Sequence, residues 1–202
     1  MELYERVRSA AYAALPAELQ RAYLAPPTLS LRVEPAGAGF RLADSHELTE
    51  RAPEALVPKL GIKSWRASGT LATIYAGVQL GPFLERLLRH PTDAQRICAR
   101  AWTRADRPLA LHLSPYVDLS TSSEVRFLAS ARGAQRVSAC VRGPVDLPAV
   151  LATATRFVEG LRPHLPDRSQ ILDVVVLPDA SARLVEVNPA LSRGELQWLR
   201  AA

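Results

Sequence analysis

Near the carboxyl end of the chain, Asp173 sits inside the apolar run Ile171-Leu172-Asp173-Val174-Val175-Val176-Leu177. Glu186 and Asn188 close a second run, Leu184-Val185-Glu186-Val187-Asn188-Pro189. Two runs rich in β-branched residues, separated by Pro178-Asp179-Ala180-Ser181, predict an antiparallel hairpin. Side chains alternate along a strand, so Glu186 and Asn188 fall on one face, and Asp173 joins them if the register allows. Two carboxylates and an amide on adjacent strands are hard oxygen donors suited to Mg²⁺, which favours carboxylates together with substrate phosphates. That is a nucleotide site in outline. The plainer reading is an acid at a strand edge, followed by Asn-Pro where the strand runs into a turn.

Few other groups could do chemistry. Lys59 and Lys63 are the only lysines, set four apart, while the remaining basic residues are arginines scattered singly (Arg6, Arg21, Arg51, Arg86, Arg100, Arg136). The formal charge of +5 and a pI near 9.7 favour anionic partners, phosphate being the simplest. Without a basic run, a dedicated nucleic-acid stripe is not evident, though nucleic acid stays open as a partner. His46, His90, His112 and His164 are dispersed, and His112 reads as structural. Cys98 and Cys140 lack a CxxC or His-rich partner segment and read as buried structural thiols. No apolar run approaches the ~18 residues of a membrane span, and the first residues do not resemble a signal peptide. A cytoplasmic protein is expected.

The elements that must position these groups follow from pattern. With 48% apolar and 22% charged residues over 202 positions, the chain can build one domain or two small lobes. Residues 2–25 read as helical, interrupted at Pro16 and stopped by Pro26-Pro27. Leu29 to Val33 and Phe40 to Leu42 form strands about the Gly37-Ala38-Gly39 turn. Ala55 to Leu60 is a short strand, followed by a loop from Gly61 to Thr70. Gly81 to Arg89 is an amphipathic helix, and Thr92 caps another that ends near Thr103. Leu109 to Leu113 is a strand, Ser114 to Asp118 a connector. Glu124 to Ala129 and Gln135 to Val141 make a hairpin around Arg132-Gly133. Asp146 caps a helix through Leu161, the last hairpin follows, and a short helix begins at Gly194. Trp102 and Trp198 fall on helical faces that read as core. The mixture predicts an α+β fold with antiparallel sheets and flanking helices. It divides into an N-terminal helical and hairpin region, 1–55, and a second region, 56–202.

Four ordered segments carry a resemblance: Val57-Pro58-Lys59-Leu60 with Lys63-Ser64-Trp65; Tyr116-Val117-Asp118 leading to Ser123-Glu124-Val125-Arg126-Phe127; Leu172-Asp173-Val174; and Val185-Glu186-Val187-Asn188-Pro189. In this order they resemble the ATP-grasp proteins, specifically the divergent clade related to cell-division-cycle protein 123. The resemblance spans roughly residues 56–198 and implies two lobes of antiparallel sheet that clamp ATP. It implies that Lys59 contacts an α- or β-phosphate and that Lys63 approaches the triphosphate, while Ser64 to Gly69 closes as a lid and Trp65 covers or underpins it. Lys59 also reads as an edge-strand gatekeeper. The stretch through Tyr116 aligns with the adenine hinge, where Pro115 removes a backbone donor. Asp118 is implied to hold the ribose hydroxyls; it is equally a turn-starting Asp.

Arg126 matches the clade's Glu-x-Arg motif and is implied to stabilise a transferred phosphoryl group, with Glu124 orienting it; a cross-strand salt bridge is the plainer alternative. Asp173, Glu186 and Asn188 take the implied Mg²⁺ positions, Glu186 standing where the clade often has Asp. Arg193 lies where relatives position an acceptor, or simply starts a helix. The implied activity is an ADP-forming carboxylate–amine ligase that passes through an acyl-phosphate, with a peptide or protein as a possible acceptor. The alternatives are an ATP-binding assembly factor of the translation-factor type and, more remotely, a nucleic-acid-modifying enzyme. Residues 1–55 are few for the domain many ATP-grasp enzymes place before the ATP-binding lobes, so a reduced acceptor site or a completing partner is expected.

Overall fold

The computed structural model describes residues 2–43, 48–64, 72–104, 107–142 and 146–201. His46, Trp65 and most of the expected lid, Ser64 to Gly69, lie outside the described residues, as do the side chains of Lys63 and Trp198. Among the described residues no helix is long and apolar enough to cross a membrane. The chain divides into two compact units. The first comprises 1–8, 27–116 and 192–202; the second comprises 9–26 and 117–191. This division departs from the expected boundary after residue 55. The reason is strand pairing: the early strand β1 (Leu29–Ala36) pairs with β5 (Leu109–Pro115), tying residues on both sides of that boundary into one sheet.

In the first unit, β2 (Gly39–Leu42), β1, β5, β3 (Leu56–Leu60) and β4 (Lys63–Ser64) form an antiparallel sheet in that order. Helices α1 (Glu2–Ser9), α3 (Leu80–Leu88), α4 (Asp93–Thr103) and α6 (Arg193–Ala201) accompany it, α2 (Ala17–Ala22) belonging to the second unit. Leu60, Ile74, Leu84, Leu88, Leu111 and Leu113 are its fully buried centre. Each such side chain contributes about 1.5–3 kcal/mol on burial. Helix α4 opens with the expected cap in its reciprocal form: Gln95 N–H donates to Thr92 Oγ1 at 3.3 Å, and Thr92 N–H donates to Gln95 Oε1 at 2.7 Å. The β3–β4 turn passes through Gly61 at φ +59°, where a Cβ would meet Trp102 at 3.0 Å and Cys98 Sγ at 3.2 Å. Only glycine suits that position. Strand β5 runs on through Ser114 and Pro115, beyond the expected end at Leu113, because Leu56 and Val57 of β3 pair with them.

In the second unit, β7 (Gly133–Cys140), β6 (Ser123–Ser130), β8 (Gln170–Val176) and β9 (Ala182–Pro189) form an antiparallel sheet in that order. Helix α5 (Leu147–Leu161) covers one face with Val150, Ala154, Val158 and Leu161, a buried stripe at helical spacing. The apolar face beneath it is built by Val125, Phe127, Leu172, Val174, Leu184 and Val187, all at most 2% exposed. Asp146 precedes α5 but makes no side-chain capping bond; Pro148 in the first turn already removes one of the donors a cap would satisfy. Cys98 is buried as expected, whereas Cys140 is exposed, because β7 is an edge strand whose residues from Gln135 onward face solvent.

Candidate functional site

The polar groups of the second unit collect on the sheet face opposite α5. Arg126 of β6 pairs in register with Asp173 of β8, and Asp173 with Glu186 of β9, so the three form one row across three strands. Asn188 lies opposite Ile171, two residues from Asp173, and therefore shares that face. The arrangement depends on a bulge. After Asp173↔Glu186 the next pair is Val174↔Leu184, which leaves Val185 as an extra residue on β9. Without it, Leu184 and Glu186 would point the same way. With it, Leu184 is fully buried in the core and Glu186 stays with Asp173.

Within the row, Arg126 binds Asp173 in bidentate fashion: Nε donates to Oδ1 at 2.6 Å and Nη2 to Oδ2 at 2.9 Å. The hydrogen bonds it donates to Asp173 are the main reason the guanidinium holds its proton above the ordinary arginine range; the charges of Asp173, Glu186 and Glu124 add to this through space. Glu124 itself lies near Arg142, at 3.7 Å. The expected orienting partner of Arg126 is Glu124; in this structure Asp173 makes the hydrogen bonds instead, and Glu124 acts on the guanidinium only through space. Two carboxylates placed directly opposite repel one another unless a cation attends them, and Arg126 attends only one of them by hydrogen bond.

Sequence reasoning passed over Tyr23. Its residue pairs in parallel with Leu184, Leu24 N–H donates to Leu184 O at 2.8 Å, and Val187 N–H donates to the Tyr23 hydroxyl at 3.2 Å. Tyr23 thus fastens the outer edge of β9 at the residue between Glu186 and Asn188. Burial, and next the charge of Glu186, push its phenol well above the usual tyrosine range. The Tyr12 ring meets it edge-on at 5.1 Å. No pattern around Ala22-Tyr23-Leu24 signals this, because the contact spans more than 160 residues of chain.

In the first unit, register sets Ser30, His112, Lys59 and Ser64 in a row across β1, β5, β3 and β4. Lys59 is half-buried. Lys63 lies opposite Leu60, so Ser64, and not Lys63, stands across from Lys59. His112 Nδ1 and Ser30 Oγ are 2.7 Å apart. Burial, and then the charge of Lys59, hold His112 below its ordinary pKa of 6.5, so it stays neutral beside the lysine. Tyr116 is 42% exposed, and its N–H donates to Ala55 O at 2.8 Å.

Asp118, in the second unit, closes a turn by accepting Ser120 N–H at 2.9 Å and Ser120 Oγ–H at 3.1 Å. Those bonds hold its carboxyl below the usual range. The structure thus gathers Arg126, Asp173, Glu186 and Asn188 on one face, with Glu124 alongside. Asp118, in the same unit, feels the charge of Arg142, the neighbour of Glu124, whereas Lys59 and Tyr116 belong to the other unit.

Among the described residues no group of three or more His, Cys, Asp or Glu is placed to hold a metal. The expected set has only two carboxylates, its third donor being an amide. Asp173 and Glu186 face one another across a single strand pair with Asn188 on the same face, which fits a hard divalent cation in donor chemistry.

No family model matches the chain, and no curated protein does. Among solved structures, C-terminally truncated Cdc123 from Schizosaccharomyces pombe aligns with a TM-score of 0.54 at 15% identity, covering 92% of this chain and 85% of that one. A second structure of Cdc123 from the same organism gives 0.53 at 16%, with the same coverage. An L-amino acid ligase from Bacillus licheniformis aligns at 0.47 and 12% identity, over 94% of this chain and 44% of that one; at that score the likeness says nothing of this chain's chemistry. Identities of 15% and 16% establish the fold alone. The chain has an α+β, ATP-grasp-like fold, shared with Cdc123.

Proposed function

We propose that this chain binds ATP with Mg²⁺ and uses it as an ADP-forming carboxylate–amine ligase. The observation that carries the reading is the row Arg126–Asp173–Glu186, with Asn188 on the same sheet face. Asp173, Glu186 and Asn188 would hold the metal. When bound, Mg²⁺ would neutralise triphosphate oxygens and favour transfer of the terminal phosphoryl group. The chain's own residues do the rest. Arg126 would leave Asp173 and turn its planar fork to the phosphoryl oxygens, for which bidentate contact suits it. Lys59 and Lys63 would neutralise other phosphate oxygens as compact cations. Asp118 would accept from the ribose hydroxyls, and Tyr116 would stand beside the adenine. No side chain need act as a nucleophile; positioning and charge stabilisation suffice.

The experiment is ADP release in the presence of ATP, Mg²⁺ and mixtures of amino acids or short peptides. A ligase releases ADP only when both a carboxylate and an amine donor are supplied. A second reading, an ATP-binding assembly factor that acts on a protein partner, is supported by the shared fold of Cdc123. It predicts saturable nucleotide binding and no dependence of ADP release on small acceptors.

A further inference from the structure

In the first unit two tyrosines stand in solvent on either side of one small residue. Tyr75 is 71% exposed and Tyr116 is 42% exposed. Leu56 and Ile74 form an antiparallel bridge, each N–H donating to the other's carbonyl oxygen at 2.8 Å. One residue beyond that bridge, Tyr75 falls beside Ala55. On the other side of Ala55 lies Tyr116, whose N–H donates to Ala55 O at 2.8 Å. Alternation fixes the faces. Leu56 and Ile74 are buried on the core side, so Tyr75, Ala55 and Tyr116 form a row on the opposite, open face.

Adjacent strands lie about 4.8 Å apart, so the two tyrosines leave the sheet roughly 10 Å from one another, with only the Ala55 methyl group between them. Leaning slightly inward, their rings make a slot for one flat ring stacked on both. What fills the slot follows from the same face of the sheet. Lys59 is four residues from Ala55 and shares its face, about 13 Å along the strand. A slot for a flat ring at one end and a cation suited to phosphate at the other match the length of an extended nucleotide, from base to triphosphate.

The backbone decides how that base is read. Pro115 has no N–H, and the Tyr116 N–H is already donated to Ala55 O. The donors of both residues are therefore closed to the edge of a base. Stacking takes their place, and stacking tolerates any base because every base has a π-face. Resting on the nucleotide reading above, we infer that Tyr75 and Tyr116 form a stacking slot for the nucleotide base, which holds the ring firmly while leaving its identity almost unread.

Calorimetry of the full chain with ATP, GTP and inorganic tripolyphosphate, each with Mg²⁺, tests the slot. The parent should bind ATP and GTP within about threefold of one another. Tyr75 is mostly in water, so Tyr75→Ala should keep the parent's circular dichroism spectrum. It should weaken both nucleotides about tenfold, the scale of one base stacked on one aromatic side chain, and leave tripolyphosphate affinity unchanged. Tyr75→Phe keeps the ring and should bind both nucleotides as the parent does. A parent that prefers ATP to GTP by about a hundredfold, a Tyr75→Ala chain with parental ATP affinity, or one that loses tripolyphosphate by the same factor would overturn the slot and leave the nucleotide site standing. A parent that binds neither nucleotide would remove the nucleotide reading and the slot together.

Discussion

Replacing Arg126 with alanine should tighten the binding of a divalent cation in the absence of nucleotide. Arg126 donates to both oxygens of Asp173, at 2.6 and 2.9 Å, so a cation that binds that carboxylate competes with the guanidinium for it. The side chains are 49% and 14% exposed respectively. The pair thus falls between an exposed ion pair, worth under ~1 kcal/mol, and a buried one, whose truncation costs about 3–5 kcal/mol. Half the guanidinium is in water, which places the net value near 1 kcal/mol. Removing that competitor should tighten Mn²⁺ binding about fivefold, and loss of a like charge beside the metal acts in the same direction. Arg126→Lys keeps the charge without the fork and should fall between the two.

The assay is a Mn²⁺ titration of the nucleotide-free chain, by electron paramagnetic resonance or calorimetry. If ADP is released, the same Arg126→Ala variant should lose turnover more than nucleotide affinity, since the role proposed for the guanidinium is in phosphoryl transfer. An Arg126→Ala chain that binds Mn²⁺ no better than the parent would refute the idea that arginine and metal share Asp173.

Lys59→Ala should weaken ATP more than adenosine, because its proposed contact is a phosphate; equal losses by calorimetry would contradict that. Tyr23→Phe removes the hydroxyl that accepts Val187 N–H and should cost about 1 kcal/mol of stability, a typical single hydrogen bond. It should also weaken Mn²⁺ more than a control core change such as Val158→Ala does at matched stability. His112 is held below its ordinary pKa of 6.5, so the unfolded chain takes up a proton first as pH falls. Stability should therefore be complete above about pH 6.5 and decline below it. Urea melts of His112→Gln across pH 5–7 should show a flatter profile, and parallel slopes would exclude this histidine as the cause.

The hairpin that carries Asp173, Glu186 and Asn188 was legible because its β-branched runs and the Pro178–Ser181 turn are local signals. Alternation placed Glu186 and Asn188 together for the same reason. The Val185 bulge was not legible: it is set by competition between burying Leu184 and keeping Glu186 on the polar face, which only paired strands define. The exposure of Cys140 depends on β7 being an edge, and strand order is not written in alternation. Tyr23 was missed because the backbone group it serves lies on the far side of the chain. Strand β1 joined β5 across the expected boundary after residue 55, a pairing between two apolar runs that periodicity cannot match to one another. By contrast, Thr92 with Gln95 three residues on was readable as a helix start, since a capping box is wholly local.

Isothermal calorimetry of ATP with and without Mg²⁺, on the parent chain and on the Asp173→Asn, Glu186→Gln double variant, tests the nucleotide-site reading most directly. The parent should bind ATP far more tightly when magnesium is present. The double variant, with an unchanged circular dichroism spectrum, should lose that magnesium dependence. A folded double variant that keeps the parent's magnesium-dependent affinity would show that these carboxylates hold no metal.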